Sequence, residues 1–159
     1  IALTIRVGMY YGEKNWLAMR QVQKVGLISA TIFAACTMAL IALARPYIVA
    51  IYTNDVHIMP IAMYLLWFAI AYQLVDGWQV SAAGCLRGMQ DTQAPMWITL
   101  MAYWVIAFPI GLYLARYTSW GVAGVWLGLI IGLTIACVLL IGRLYLNNKR
   151  LMQLTSSNP

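Results

Sequence analysis

Four long, predominantly apolar stretches, Val25 to Ala44, Pro60 to Ala83, Pro95 to Ala115 and Gly121 to Leu146, constrain this chain more than anything else in it. About 20 predominantly apolar residues in a helix cross the hydrocarbon core of a bilayer, and each stretch is that long. With no water to satisfy backbone amides and carbonyls in that core, helices are the economical way to cross it. Composition agrees: 64% of the 159 residues are hydrophobic and 9% charged, against about 25% charged in ordinary soluble domains. The expectation is an all-α, polytopic integral membrane helix bundle. Ile1 to Met9 reads as the end of one more apolar helix, and the chain opens without methionine, so it is expected to be a fragment that does not fold alone.

The net charge of +6 is distributed by membrane side. Arg6, Lys14, Arg20, Lys24, Arg87, Arg143, Lys149 and Arg150 fall on one side of the spans, whereas Arg45 and Arg116 fall on the other. Lys and Arg concentrate in cytoplasmic loops, which puts the Gly12 to Lys24 loop and the C-terminus inside. Scattered basic residues of this kind do not form the stripe that nucleic acid requires. Cys36, Cys85 and Cys137 lack metal or redox spacing and read as packing residues. His57, alone in an outer loop, reads as solvated surface. No nucleophile, base and orienting group can be assembled from it and the scattered acids, which argues against an enzyme.

Connections are short. Gly12 to Asn15 forms a turn, and Trp16 to Lys24 reads as an interfacial lead-in. Arg45 and Pro46 are expected to end the first span, and Thr53, Asn54 and Asp55 to cap the next helix. Pro95 suits a first helical turn. Pro109, inside the third span, removes a backbone hydrogen bond and should kink it, with Gly111 easing the bend: a candidate hinge. Gly124, Gly128 and Gly132 form a ridge that lets another backbone approach closely, and its partner is expected in helices outside this chain.

One residue violates the pattern. Asp76 lies deep in an apolar run, with nothing else charged between Asp55 and Arg87. A carboxylate there costs roughly 2.5 to 3.5 kcal/mol to insert, more than the roughly 0.6 to 2 kcal/mol of an interhelical polar contact, so the expectation is function rather than glue. On a helix Tyr72, Gln73, Asp76, Gln79 and Val80 fall on or near one face, opposite Leu74, Val75 and Trp78. That face could coordinate a hard cation such as Na⁺ or hold an exchangeable proton. One carboxylate is not a full cation site, and Glu13, Asp55 and Asp91 are not at membrane depth. The nine methionines, seven tryptophans and ten tyrosines are suited to organic cations collectively, without nominating any one of them.

Several strings in order resemble the multidrug and toxic compound extrusion family, in its bacterial branch. They are Arg6, Val7, Gly8, Gly12 and Asn15; Tyr52, Thr53, Asn54 and Asp55; and Tyr72, Gln73, Leu74, Asp76, Gly77 and Gln79. Leu86, Arg87, Gly88, Pro95 and Met96, then Pro109 and Gly111, then Gly121, Gly124, Trp126 and Gly128 continue the series across nearly the whole chain. The resemblance implies a two-lobed transporter of about twelve helices in the bacterial plasma (inner) membrane, exporting organic cationic drugs against inward Na⁺ or H⁺. This chain would be the C-terminal part of the C-terminal lobe, partnered by the preceding helices and needing no cofactor beyond the coupling ion. Asp76 would match the lobe's ion-coupling carboxylate and Tyr72 an aromatic residue beside it. A lipid-linked oligosaccharide flippase would call for basic residues at mid-span, which are absent from the sequence, and a membrane scaffold without a transport cycle would use Asp76 and the glycine ridge for assembly only.

Overall fold

The structure is a computed structural model that describes residues 1–52, 55 and 57–156, without the side chains of 154–156. Helix α1 spans Ala2–Gly12, α2 Trp16–Tyr52, α3 Met59–Gly88, α4 Gln93–Met101, α5 Phe108–Tyr117 and α6 Val122–Ser156. Residues Ala102–Ala107 join α4 to α5 as a wider, π-helical turn, so the three pieces run as one interrupted rod. Among the described residues, four helices are long and apolar enough to cross a membrane: Trp16–Tyr52, Met59–Gly88, Gln93–Tyr117 and Val122–Gln153. The chain is thus the all-helical membrane bundle that its apolar runs require.

The α1–α2 turn is tight because Lys14 takes a left-handed conformation (φ 55°) and the Asn15 side-chain carbonyl accepts the Ala18 amide at 3.2 Å, starting α2. Trp16 to Lys24 is continuous with the span rather than a separate lead-in. Pro46 does not end α2, contrary to the expectation from sequence; the helix continues through it to Tyr52. The local chemistry explains how. Proline lacks the amide that would bond the carbonyl four residues back, on Ala42, and the Arg45 guanidinium Nε donates to that carbonyl instead, at 3.3 Å. The same guanidinium lies 4.1 Å over the Trp67 ring of α3, which holds it in place. Thr53 and Asn54 lie outside the described residues. The Asp55 carboxylate accepts the amide of His57 at 2.8 Å, and its backbone carbonyl accepts the amides of Ile58 and Met59 at 3.2 and 3.0 Å, leading the chain into α3.

A buried hydrophobic cluster gathers at the end of the bundle where the basic residues lie. Val7, Met19, Ala82, Ala83, Cys85, Leu86, Met89, Leu140 and Leu144 form one buried cluster drawn from α1, α2, α3 and α6. Gly88 permits α1 to cross there: a Cβ on it would lie 2.6 Å from the Thr4 carbonyl oxygen. Cys85 and Cys137 are buried free thiols and Cys36 an exposed one.

The glycine ridge of α6 finds its partner inside this chain, which corrects the expectation of one outside it. A Cβ on Gly124 would come within 2.8 Å of the Leu114 backbone, one on Gly128 would overlap the backbone of Gly111, and one on Gly132 would reach 2.8 Å from the Ala102 carbonyl. Gly111 is accordingly a point of backbone contact with α6. The irregularity near Pro109 is displaced upstream: the proline stands in the first turn of α5, and the widened turn precedes it. A missing amide is harmless at a helix start, and the π-helical turn absorbs the steric conflict with the preceding backbone.

Candidate functional site

Helix α3 presents two faces. Toward α2, Gly77 lies against Ala30 and Ala34, and the Trp78 indole donates to the Thr31 hydroxyl at 2.8 Å, which in turn donates to the Leu27 carbonyl. Toward α6 and the widened turn, the Tyr72 ring meets Trp126 edge-on with centroids 6.4 Å apart. Asp76, one turn further along, shares that second face. Tyr103, carried by the π-helical turn, interacts with Tyr72 and lies close enough to Asp76 to feel its charge.

Asp76 is half-buried, as are Tyr72 and Gln73, and Gln79 is buried. Val80 is 56% exposed and separates from the polar group. Asp76 has no basic partner among the described residues. It is therefore a mid-span carboxylate bordered by phenols rather than a locked ion pair. Among the described residues, no group of three or more His, Cys, Asp or Glu is assembled that could hold a metal. Asp76 and the neighbouring hydroxyl oxygens suit a hard cation in kind, since such ions select oxygen ligands, but they form part of a coordination shell. Sequence reasoning missed Tyr103 and did not place Trp126, noted only in the family resemblance, beside Tyr72. Both stand in apolar runs without an acid of their own, and only the packing of three helices brings them to α3.

A second polar group closes the basic end. Asp91, in the α3–α4 turn, accepts from Arg143 Nε at 2.6 Å and Nη2 at 3.3 Å, and from the Asn147 amide at 3.1 Å. These contacts, Arg143 first, hold its carboxyl below the ordinary range against an opposing effect of partial burial. Beside it, Asn148 Nδ2 donates to Gln23 Oε1 at 2.7 Å, and Gln23 Nε2 points to the Met89 sulfur at 3.6 Å. Both amides are buried, so this short chain fixes α6 against α2.

The comparisons with known proteins give the class. The family model described as MatE matches residues 1–113, and the chain belongs to that family. A probable multidrug resistance protein NorM from Acinetobacter baylyi is 72% identical over 153 residues, 96% of this chain and 34% of that relative. A protein of the same description from Xanthomonas campestris pv. campestris is 38% identical over 94% of this chain and 33% of its own length. The chain thus spans about a third of the length of the curated relatives it matches. Among solved structures, the inward-facing conformation of a multidrug resistance MATE family transporter of the MOP superfamily superposes with a TM-score of 0.87 at 19% identity, over 96% of this chain and 35% of that one. The eukaryotic MATE transporter AtDTX14 gives 0.85 at 19% identity, over 96% and 34%. These likenesses carry the fold.

Proposed function

We propose that this chain is the C-terminal part of the C-terminal lobe of a cation-coupled multidrug exporter, a transporter rather than an enzyme. The complete protein would expel organic cations across the bacterial inner membrane in exchange for inward Na⁺ or H⁺. The observation that carries the proposal is Asp76: a half-buried carboxylate in mid-span, without a basic partner among the described residues and bordered by Tyr72 and Tyr103. An unpaired acid at that depth can load and unload a positive charge, and a permanently paired one cannot. Tyr72, Gln73 and Gln79 supply further oxygens toward the ion, and acidic partners would come from the preceding helices. Loading Asp76 biases the bundle between inward- and outward-facing arrangements, provided the ion binds the two states unequally. The hinge is the π-helical turn that leads into Pro109, while Gly111 stays against α6. The excess of basic residues on one side supports a cytoplasmic C-terminus.

The test is Asp76→Asn in the complete protein, expressed to wild-type level in cells loaded with ethidium. Ion-driven efflux is expected to disappear while the protein stays folded. Undiminished ion-dependent efflux would remove the basis of the proposal.

A further inference from the structure

At the basic end of the bundle, two cations far apart in sequence line one groove. It measures about 410 Å³ and is lined by Arg20 of α2 and by Tyr145, Lys149, Met152 and Gln153 of α6. Among the described residues no carboxylate lines it. Arg20 Nη1 lies 2.7 Å from the Met152 sulfur, a neutral and weak acceptor that does not balance the guanidinium charge. The two walls are held in register by the buried Asn148–Gln23 hydrogen bond, whose members sit one residue before Lys149 and three after Arg20. The helix surfaces that carry the two cations are thereby fixed against each other.

Depth matters as much as charge. Arg20 comes just before the apolar Val25 to Ala44 stretch and Lys149 just after Gly121 to Leu146, so both stand where headgroups meet hydrocarbon. Three turns before Lys149 on the same stripe of α6 is Val138, 64% exposed, with Tyr145 between them, 62% exposed. Gly142, on that stripe too, has nothing within 4 Å of where a Cβ would stand, leaving the face open. A two-cation cradle thus continues directly into an exposed apolar strip.

We propose that this groove binds an anionic phospholipid, its phosphate bridging Arg20 and Lys149 and one acyl chain lying along Tyr145 and Val138. Guanidinium groups match phosphate oxygens with paired hydrogen bonds, and the ammonium adds a point charge. A free phosphate would satisfy the same cations but leave the apolar strip unused, which is why the lipid is the assigned occupant.

The experiment is native mass spectrometry of the full-length protein in detergent, titrated with dioleoyl phosphatidylglycerol and, separately, dioleoyl phosphatidylcholine. A basic side chain at the membrane surface contributes about five-fold in affinity for anionic lipid. Lys149→Gln should therefore weaken the first phosphatidylglycerol about five-fold, and Arg20→Gln with Lys149→Gln about 25-fold. Arg20→Lys with Lys149→Arg should restore most of the binding. Arg87→Gln, an exposed cation outside the groove, should leave it nearly unchanged. Equal loss in Arg87→Gln would reduce the effect to general surface charge and overturn the site. So would unchanged binding in Lys149→Gln, a variant that keeps the buried amide pair, or equal affinity for phosphatidylcholine. Complete displacement of the lipid by millimolar inorganic phosphate would reassign the groove to a soluble anion.

Discussion

Replacing Gly128 by alanine adds one methyl group at the place where α6 and α5 lie backbone to backbone. That methyl would overlap Cα and N of Gly111 and sit 2.8 Å from the Ala107 carbonyl oxygen. Comfortable heavy-atom contact lies near 3.5 Å, so the helices must part by roughly 0.7 Å or more. All the obstructing atoms belong to the backbone, so no side-chain rotation relieves the clash. Parting also loosens the flanking contacts at Gly124 and Gly132. Overpacking costs about 1 to 3 kcal/mol, and a clash relieved only by moving helices belongs at the upper end, about 3 kcal/mol. Gly142→Ala is the matched control on the same helix: the site is exposed and nothing lies within 4 Å of the added methyl. Its expected effect is neutral, or a gain of up to about 1 kcal/mol from helix propensity. Heating the full-length protein in detergent and following the folded fraction by fluorescence-detected gel filtration should show Gly128→Ala melting several degrees below Gly142→Ala. Coincident melting curves would refute the claim that the glycine ridge is a close backbone contact within this chain.

The Arg45–Pro46 pair offers a double-mutant cycle. Arg45→Met should destabilise by about 1 kcal/mol, by orphaning the Ala42 carbonyl and uncovering Trp67. In a Pro46→Ala background, where the backbone supplies its own amide, the penalty should shrink by about half. An identical penalty in both backgrounds would show that the arginine does not serve that carbonyl. At the basic end, Asp91→Asn should lower the melting midpoint modestly, since an exposed ion pair contributes about 0.2 to 1 kcal/mol. The pH dependence follows from the sign of the shift. The carboxyl is held below its ordinary value in the folded protein, so its contribution is fully present above the ordinary carboxylate range. It is lost as pH falls through the lowered folded value. Melting curves of wild type and Asp91→Asn should therefore differ at neutral pH and converge in strong acid; divergence on acidification would contradict the assigned pairing.

The bundle was legible because lipid forces a simple code: long apolar runs must become helices, and an acid among them stands out. Asp76 and Tyr72 could be placed on one helix face from their four-residue spacing alone. Tyr103 could not, because its position depends on how the rod carrying it is wound. Pro46 misled for a related reason. The rule that proline ends a helix assumes that the stranded carbonyl has no other donor, and Arg45 supplies one. Spacing revealed that Gly124, Gly128 and Gly132 face a backbone, but not that the backbone is a neighbour in the same chain. Likewise, counting basic residues assigned a membrane side without indicating that Arg20 and Lys149 line one groove.

The widened turn at Ala102–Ala107 behaves as one surplus residue threaded into a spiral staircase. An ordinary winding advances each residue by about 100°. If the surplus were taken up, everything from Gln93 to Met101 would swivel by that angle relative to Phe108–Tyr117. Tyr103 would turn away from Tyr72 and Asp76, while the downstream piece could stay clasped to α6. A small change in winding thus has the leverage to reorient a whole flank of the bundle without unfastening its far half.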